Sequence, residues 1–247
     1  MTASAIHPHG ETAAHVCVLI PAFNAAETLG AVVARVCEQG CHALVIDDGS
    51  RDATREIAER AGARVVGHAV NQGKGKALQT GFAEALRAGH ELVITLDADG
   101  QHEPEAIPQF LWEASAHPEA ALIIGNRMAN IRRMPWVRRW TNRWMSGGLS
   151  QVTGLYVPDS QCGYRLVRAA FLRQCRLASD HFEIESELIL EAGRLGHAVR
   201  SIPIHTVYAG EESHIHPARD TLRFFRMLFR YYQRHPEFRP QPPPVRS

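Results

Sequence analysis

Asp97-Ala98-Asp99-Gly100-Gln101 follows the apolar run Leu92 to Leu96 and sets two carboxylates and a side-chain amide at alternate positions. An extended segment sends alternate side chains to one side, so Asp97, Asp99 and Gln101 can converge. Two carboxylates about 4 Å apart repel by roughly 4 kcal/mol at an intermediate effective dielectric. A divalent cation removes that penalty, and three oxygen ligands suit Mg²⁺ or Mn²⁺. Such an ion on a diphosphate stabilises the charge that develops as a nucleoside diphosphate leaves. The competing reading is an Asx-rich turn that ends a strand.

Other polar clusters share this placement after an apolar run. Asp47-Asp48-Gly49-Ser50 offers a carboxylate to ribose hydroxyls or a base, or else a turn in which Ser50 or Asp52 caps the next helix. Pro21-Ala22-Phe23-Asn24 with Glu27 reads both as base recognition and as a box-like cap, with Asn24 at the N-cap and Glu27 three residues on. Asn71-Gln72-Gly73-Lys74-Gly75-Lys76 is not a Walker A loop: five residues separate Gly67 from Gly73, and position 75 is glycine where Ser or Thr is required. A glycine-softened helix start bearing Lys74 can still hold a diphosphate by charge and backbone N–H groups. The first strand is not followed by Gly-x-Gly-x-x-Gly, which argues against a dinucleotide site.

The elements that must position these groups alternate in the first half of the chain. Val16 to Ile20, Ala43 to Ile46, Arg64 to Gly67, Leu92 to Leu96 and Ala121 to Ile124 read as strands. Ala26 to Glu38, Asp52 to Ala61, Lys76 to Ala88 and Glu105 to Ala116 read as the helices between them, the pattern of a parallel α/β sheet. Ligands bind at the carboxyl ends of such strands, where every cluster above falls, together with Asn126 and Arg127. After Arg127 come a basic aromatic stretch, Arg132 to Trp144, a break at Gly147 and Gly148, a mixed region to Arg200 and a helix over Thr221 to Arg234. The expected organisation is a disordered lead-in over 1–15, one domain over 16–235 and a disordered proline-rich tail over 236–247.

Composition narrows the partners. The 247 residues are 45% hydrophobic, enough for one sizeable domain, and a formal charge of +1 does not point to a nucleic acid. Five cysteines at 17, 37, 41, 162 and 175 are odd in number and lack CxxC spacing, which fits a reduced, cytoplasmic setting without disulfides or structural zinc. No secretory signal is legible at the N-terminus, and no apolar stretch approaches the ~20 residues of a membrane-spanning helix. Any work at a membrane is then expected from its surface.

Taken in order and at these separations, the motifs resemble those of family 2 glycosyltransferases of GT-A fold, and among them the polyprenyl-phosphate sugar transferases such as dolichol-phosphate mannose synthase. The likeness runs from Val16 to about Arg230. It rests on Ile20-Pro21-Ala22-Phe23-Asn24 with Glu27, Asp47 to Ser50, Asn71 to Ala77, Asp97 to His102, Gly125-Asn126-Arg127 and Asp159-Ser160-Gln161-Cys162-Gly163-Tyr164-Arg165. It implies a single α/β domain with a mixed, mostly parallel central sheet flanked by helices. It also implies inverting transfer from a UDP- or GDP-sugar. The nucleotide then lies near Pro21, Ala22, Asn24, Glu27, Asp48, Asp97 and Ala98, the metal at Asp97, Asp99 and Gln101, and Lys74 or Arg127 against the departing diphosphate.

Family members with hydroxyl acceptors place a carboxylate base near the start of a later helix, and Phe182-Glu183-Ile184-Glu185-Ser186-Glu187 occupies that region. Glu185 is the expected base, with Glu183 beside it and Asp99 at the metal; a solvated helix N-terminus is the plainer account of three alternating glutamates. An alcohol needs such a base, whereas a phosphate acceptor is already ionised near pH 7. Against this, Arg132, Arg133, Arg138, Arg139 and Arg143 interleave with Trp136, Trp140 and Trp144, whose spacing of four puts them on one helical face. That face suits a membrane interface and anionic head groups, or else a core-packed aromatic stripe; Phe224, Phe225, Leu228, Phe229 and Tyr232 pose the same choice. Arg138, Arg139, Arg143 and Gln161 are the expected acceptor contacts. His214 and His216 depart from the related pattern, which usually has lysine near His214, and a loop closing on donor phosphate is their expected role, with structural packing as the alternative. The reading is thus a peripheral enzyme with a lipid-linked acceptor, polyprenyl phosphate or a lipid hydroxyl. The alternatives are a sugar-phosphate nucleotidyltransferase and a noncatalytic nucleotide-binding module docking at a membrane.

Overall fold

The structure is a computed structural model, and it describes residues 15–129, 136–206 and 217–240, without the side chains of 138 and 217–222. Arg132, Arg133, His214, His216, the lead-in over 1–14 and the tail over 241–247 lie outside the described residues.

Seven strands form one sheet in the order β3-β2-β1-β4-β6-β5-β7. They are β1 (Val16–Ala22), β2 (His42–Asp47), β3 (Arg64–Gly67), β4 (Leu92–Thr95), β5 (Ala120–Asn126), β6 (Arg165–Arg168) and β7 (Ala198–Pro203). The helices are α1 (Leu29–Glu38), α2 (Thr54–Arg60), α3 (Lys74–Arg87), α4 (Ile107–Ala116), α5 (Trp136–Thr153), α6 (Ala169–Leu172), α7 (Ile184–Leu195) and α8 (Pro217–Arg234). β1, β2, β3 and β4 run parallel, β6 is antiparallel to both β4 and β5, and β7 is parallel to β5. The expected mixed, mostly parallel sheet is present.

A parallel strand covered by helices on both faces is apolar along its length rather than alternating. β1 shows this, with every residue buried except half-buried Pro21. Each such Val, Leu or Ile contributes about 1.5–3 kcal/mol by leaving water. Helix α3 crosses β1 at Gly81, where a Cβ would stand 2.1 Å from Leu19 Cδ1. Between β1 and β4 the connections reverse direction across the sheet, and the crevice at such a switch is where α/β sheets bind ligands.

Several expectations change. α1 begins at Leu29 rather than Ala26, and its N-cap is Thr28 without a side-chain cap, so the Asn24–Glu27 box does not form. Asn24 instead takes a left-handed φ of 49° and is laced to the second strand's loop: its N–H donates to Ser50 Oγ (2.9 Å), and its Oδ1 accepts from the Arg51 N–H (2.9 Å). Gly147 and Gly148 do not break α5, which runs through them. Two interior glycines cost a helix about 1 kcal/mol each, but Met145, Ser146 and Leu149 anchor that turn in the interior. α8 starts four residues before the expected Thr221, with Pro217 in its first turn, where a missing N–H costs nothing. The domain also extends past residue 235: Phe238 is buried against Tyr231 and Tyr232, with ring centroids 5.7 and 5.9 Å away.

Candidate active site

The loops that leave β1, β2 and β4 meet the start of α3 and the first turn of α7. Lys74, the first residue of α3, stands at their centre. Its Nζ lies 2.6 Å from Asp97 Oδ1 and 2.8 Å from Glu185 Oε1, joining the expected metal ligand to the expected base. Burial works against the ammonium, yet the two carboxylates outweigh it and raise its pKa above the ordinary lysine value. Burial likewise works against the Asp97 carboxylate, and Lys74 with His102 and Arg127 holds it below the usual range. Both groups are therefore charged at neutral pH.

The segment after β4 is not extended as far as Gln101. Ala98 and Asp99 form a turn, Gly100 has φ 72°, and Asp99 Oδ1 accepts the Gln101 N–H at 2.9 Å. The Asx turn and the metal motif thus coexist, with Asp99 exposed and Asp97 half-buried. Thr28 Oγ1 donates to the Ala98 carbonyl (2.7 Å), tying this turn to the β1 loop. Gly163 closes the other side, since a Cβ there would meet Asp97 Oδ2 at 2.6 Å. Among the described residues no three His, Cys, Asp or Glu side chains converge as a ready-made metal cage. The donor chemistry of Asp97, Asp99 and Gln101 nonetheless fits a hard cation, and the partner now on Asp97 is itself a cation.

His102, three residues after Asp99, is a buried member of this cluster to which the sequence motif alone assigns no chemistry. Burial pushes its imidazole down to about 4 despite the pull of Asp97, so it is neutral, and its Nδ1 has no hydrogen-bond partner among the described residues. Arg165, fully buried, likewise has no chemistry assigned by its motif alone. It donates to the carbonyls of Cys162 (2.7 Å), Ser160 (2.6 Å) and Glu185 (2.5 Å), fixing the 160–163 loop and the start of α7 beside the site.

Three expected contacts are redirected. Asp48 is buried and committed to the loop between β3 and α3: its carboxylate accepts the N–H groups of Gln72 (2.9 Å) and Gly73 (2.7 Å), and the His68 ring lies 2.6 Å away. It therefore shapes the approach to α3 rather than standing open to ribose. Arg127 is buried in a two-pronged pair with Asp159 (2.8 and 2.9 Å), and its charge also favours the Asp97 carboxylate, which Lys74 contacts at 2.6 Å. Burial would raise the Asp159 carboxyl, and Arg127 overrides it to hold the group below the usual range. The N-terminus of α3 is not an open anion cradle either, because the Lys76 N–H donates to the Asp180 carbonyl (3.2 Å) and a Cβ on Gly75 would stand 2.3 Å from the Ser179 carbonyl oxygen.

Pro21 and Ala22 end β1, and Asn24 and Glu27 lie exposed on the loop that follows it. The three glutamates of α7 part company: Glu185 takes Lys74, Glu187 accepts the N–H groups of Ala178 (3.0 Å) and Ser179 (2.9 Å) and pairs with Arg234, and Glu183 lines a separate cleft beside α8. Gln161 is half-buried beside Ser160. Arg139 and Arg143 are exposed on α5, as are Trp136, Trp140 and Trp144, so the tryptophans are not a core-packed stripe. Trp144 packs edge-on against Phe225 of α8, with centroids 5.5 Å apart, and with Phe229 these rings form an exposed aromatic face. No helix among the described residues is long and apolar enough to cross a membrane.

The fold is that of solved GT-A enzymes. Glucosyl-3-phosphoglycerate synthase from Mycobacterium tuberculosis, solved with Mn²⁺, UDP and glucosyl-3-phosphoglycerate, shares the fold with a TM-score of 0.70 and 20% identity, over 93% of this chain and 84% of that one. The family model for glycosyl transferase family 2 matches residues 17–176, and the chain belongs to that family. Among its relatives, glycosyltransferase AglJ of Haloferax volcanii is 34% identical over 226 residues, 87% of this chain and 71% of that protein. Polyprenol monophosphomannose synthase of Mycolicibacterium smegmatis is 31% identical over 202 residues, 76% of this chain and 75% of that protein. The enzyme is a glycosyltransferase, and the nucleotidyltransferase and noncatalytic readings give way to that.

Proposed function

We propose that this glycosyltransferase moves a sugar from a UDP- or GDP-sugar, with inversion, to a polyprenyl phosphate at a membrane surface. The observation that carries the choice of acceptor is the Lys74 bridge. Glu185, the residue expected to act as base, is buried with an ammonium 2.8 Å from its Oε1. That oxygen is engaged by the ammonium rather than open to an acceptor hydroxyl, whereas a phosphate acceptor needs no proton taken from it. A phosphate oxygen attacks the anomeric carbon, the bond to the donor diphosphate breaks, and its electron pair leaves on the nucleoside diphosphate.

Asp97, Asp99 and Gln101 would hold Mg²⁺ or Mn²⁺, which when bound offsets charge on the departing diphosphate. Lys74 supplies a second positive charge at the same carboxylate. Asn24 and Glu27, exposed on the loop after β1, face the nucleoside. The aromatic face of α5 and α8, with Arg139 and Arg143 beside it, rests on the membrane interface, where tryptophan and arginine are favoured. The name of the Mycolicibacterium smegmatis relative carries polyprenol monophosphomannose as its product, in keeping with this acceptor.

Thermal shift with UDP- and GDP-sugars in the presence of Mn²⁺ identifies the donor, and turnover then compares polyprenyl phosphate with the free polyprenol. Glu185→Gln is expected to lower phosphate glycosylation by less than about tenfold, whereas loss of a general base costs about 10²–10⁴. Turnover on the alcohol alone, abolished in the Gln variant, would reverse the assignment of the acceptor.

A further inference from the structure

Helix α8 carries five arginines, Arg219, Arg223, Arg226, Arg230 and Arg234, against a single acid, Asp220. Like charges four residues apart repel on a helix, and Arg226, Arg230 and Arg234 stand at that spacing. Solvated helices relieve such crowding with interspersed glutamates, and α8 has none.

The arginines are also sorted by face. At 3.6 residues per turn, buried Phe224, Met227 and Tyr231 define the core side, and exposed Phe225 and Phe229 fall on the flank that meets Trp144. Arg223, Arg230 and Arg234 fall on the opposite flank. There, with Arg226 at the rim, they face the 178–183 segment across a cleft of about 670 Å³. Asp180 and Glu183 are the carboxylates in its lining, so four guanidinium groups meet two acids. Arg234 is held by Glu187 and by the Arg176 carbonyl (3.0 Å), whereas among the described residues no carboxylate pairs with Arg223, Arg226 or Arg230.

We infer that this cleft is a binding site for a phosphate-bearing anion, separate from the Asp97 site. Guanidinium forks match phosphate oxygens in pairs, and Ser179 and His181 add donors from the facing segment. The same segment packs on the start of α3 through the Lys76–Asp180 hydrogen bond. An anion in the cleft therefore bears on backbone that adjoins Lys74. The site stands on charge and shape alone and does not depend on the identity of the sugar donor or acceptor.

The test uses the full chain and the double variant Arg226→Gln/Arg230→Gln, which removes exposed charges without touching a paired group. One arm titrates inorganic pyrophosphate by calorimetry. The other sediments vesicles of phosphatidylglycerol with phosphatidylcholine against pure phosphatidylcholine. Wild type is expected to bind in at least one arm, and the variant to lose about tenfold or more in affinity, with Arg226→Lys/Arg230→Lys retaining part of it. Pyrophosphate binding without vesicle preference assigns the site to a soluble phosphate; selective sedimentation with anionic vesicles assigns it to a headgroup. Equal binding by variant and wild type in both arms, or no binding by wild type in either, overturns the inference. UDP and GDP titrations run alongside are expected to be unchanged by the variant, so a failure of the donor reading is distinguishable from a failure of the cleft. If the double variant loses its helical circular dichroism, the single rim change Arg226→Gln repeats both arms with about a threefold loss expected.

Discussion

Lys74→Met isolates the bridge on which the site is built. Methionine keeps the length and apolar stem of the side chain and removes its charge. Asp97 and Glu185, 26% and 6% exposed at their side chains, then face each other with no cation between them. Removing one partner of a buried ion pair costs about 3–5 kcal/mol. Asp97 keeps part of its hydration, which places the expected loss near the lower end, about 3 kcal/mol at neutral pH, or ~6–12 °C in Tm for a domain of this size.

The pH dependence has a definite sign. In the wild type Lys74 holds the Asp97 carboxyl below its ordinary value against burial, so this contribution is complete above the unfolded value near 4 and is lost only as pH falls through the lower folded value. In the variant the largest opposing charge is gone and Arg127 and His102 alone counter burial, so the Asp97 carboxyl takes up its proton at higher pH than in the wild type and stability rises relative to wild type on acidification. Urea denaturation followed by circular dichroism at about pH 7.5 and about pH 5 is expected to show the gap narrowing at the lower pH, and Mn²⁺ to restore part of the loss at the higher. A gap under about 1 kcal/mol at neutral pH, or one independent of pH, would refute the reasoning.

Asp159→Asn leaves the buried Arg127 guanidinium without its counter-charge and is expected to cost about 3 kcal/mol by urea denaturation; because Arg127 holds this carboxyl below its usual range, the wild-type advantage persists above about pH 4 and fades as acid protonates Asp159. Gly81→Ala drives a methyl to 2.1 Å from Leu19 Cδ1 and is expected to destabilise by about 1–3 kcal/mol with donor affinity retained in the folded fraction. Asp99→Ala, at an exposed turn, is expected to leave the urea midpoint within error and lower metal-dependent turnover by about 10²–10³; full turnover in Mn²⁺ would remove Asp99 from the centre.

The gathering of the polar loops was legible because parallel βα units place their loops by rule. Each polar cluster after an apolar run lands at the carboxyl edge of one sheet, so Asn24, Asp48 and Asp97 were gathered before any distance was known. The partners of each side chain were not legible. Asn24 looked like an N-cap, yet it takes a left-handed turn because Ser50 and Arg51, far along the chain, offer its bonds. Asp48 and Arg127 looked free, and both are claimed by Gly73 and Asp159 through loops that only the folded sheet brings together. β6 was missed at four residues, Arg165–Arg168, although Gly163 followed by Tyr164, Leu166 and Val167 marks a turn and an apolar run. The break at Gly147 and Gly148 was expected on propensity, and packing of their neighbours overrides it.

The alternation Glu183, Glu185, Glu187 shows why the acceptor half resists local reading. Along a strand, residues two apart share a face; along a helix each step of two turns by about 200°. The first and third glutamates therefore lie about 40° apart and the middle one opposite them. Glu185 alone points to Lys74, while Glu183 and Glu187 look toward α8, one into the arginine cleft and one onto Arg234. A single turn of α7 thus joins the Lys74–Asp97 cluster to the helix that carries the exposed aromatic face. Glu187 holds the intervening segment by two backbone N–H groups, and that segment in turn presses on Gly73 and Gly75 at the start of α3. Burial on one side and ion pairing on the other leave this turn little freedom, so a ligand on the α8 side acts on backbone adjoining Lys74 without touching the lysine.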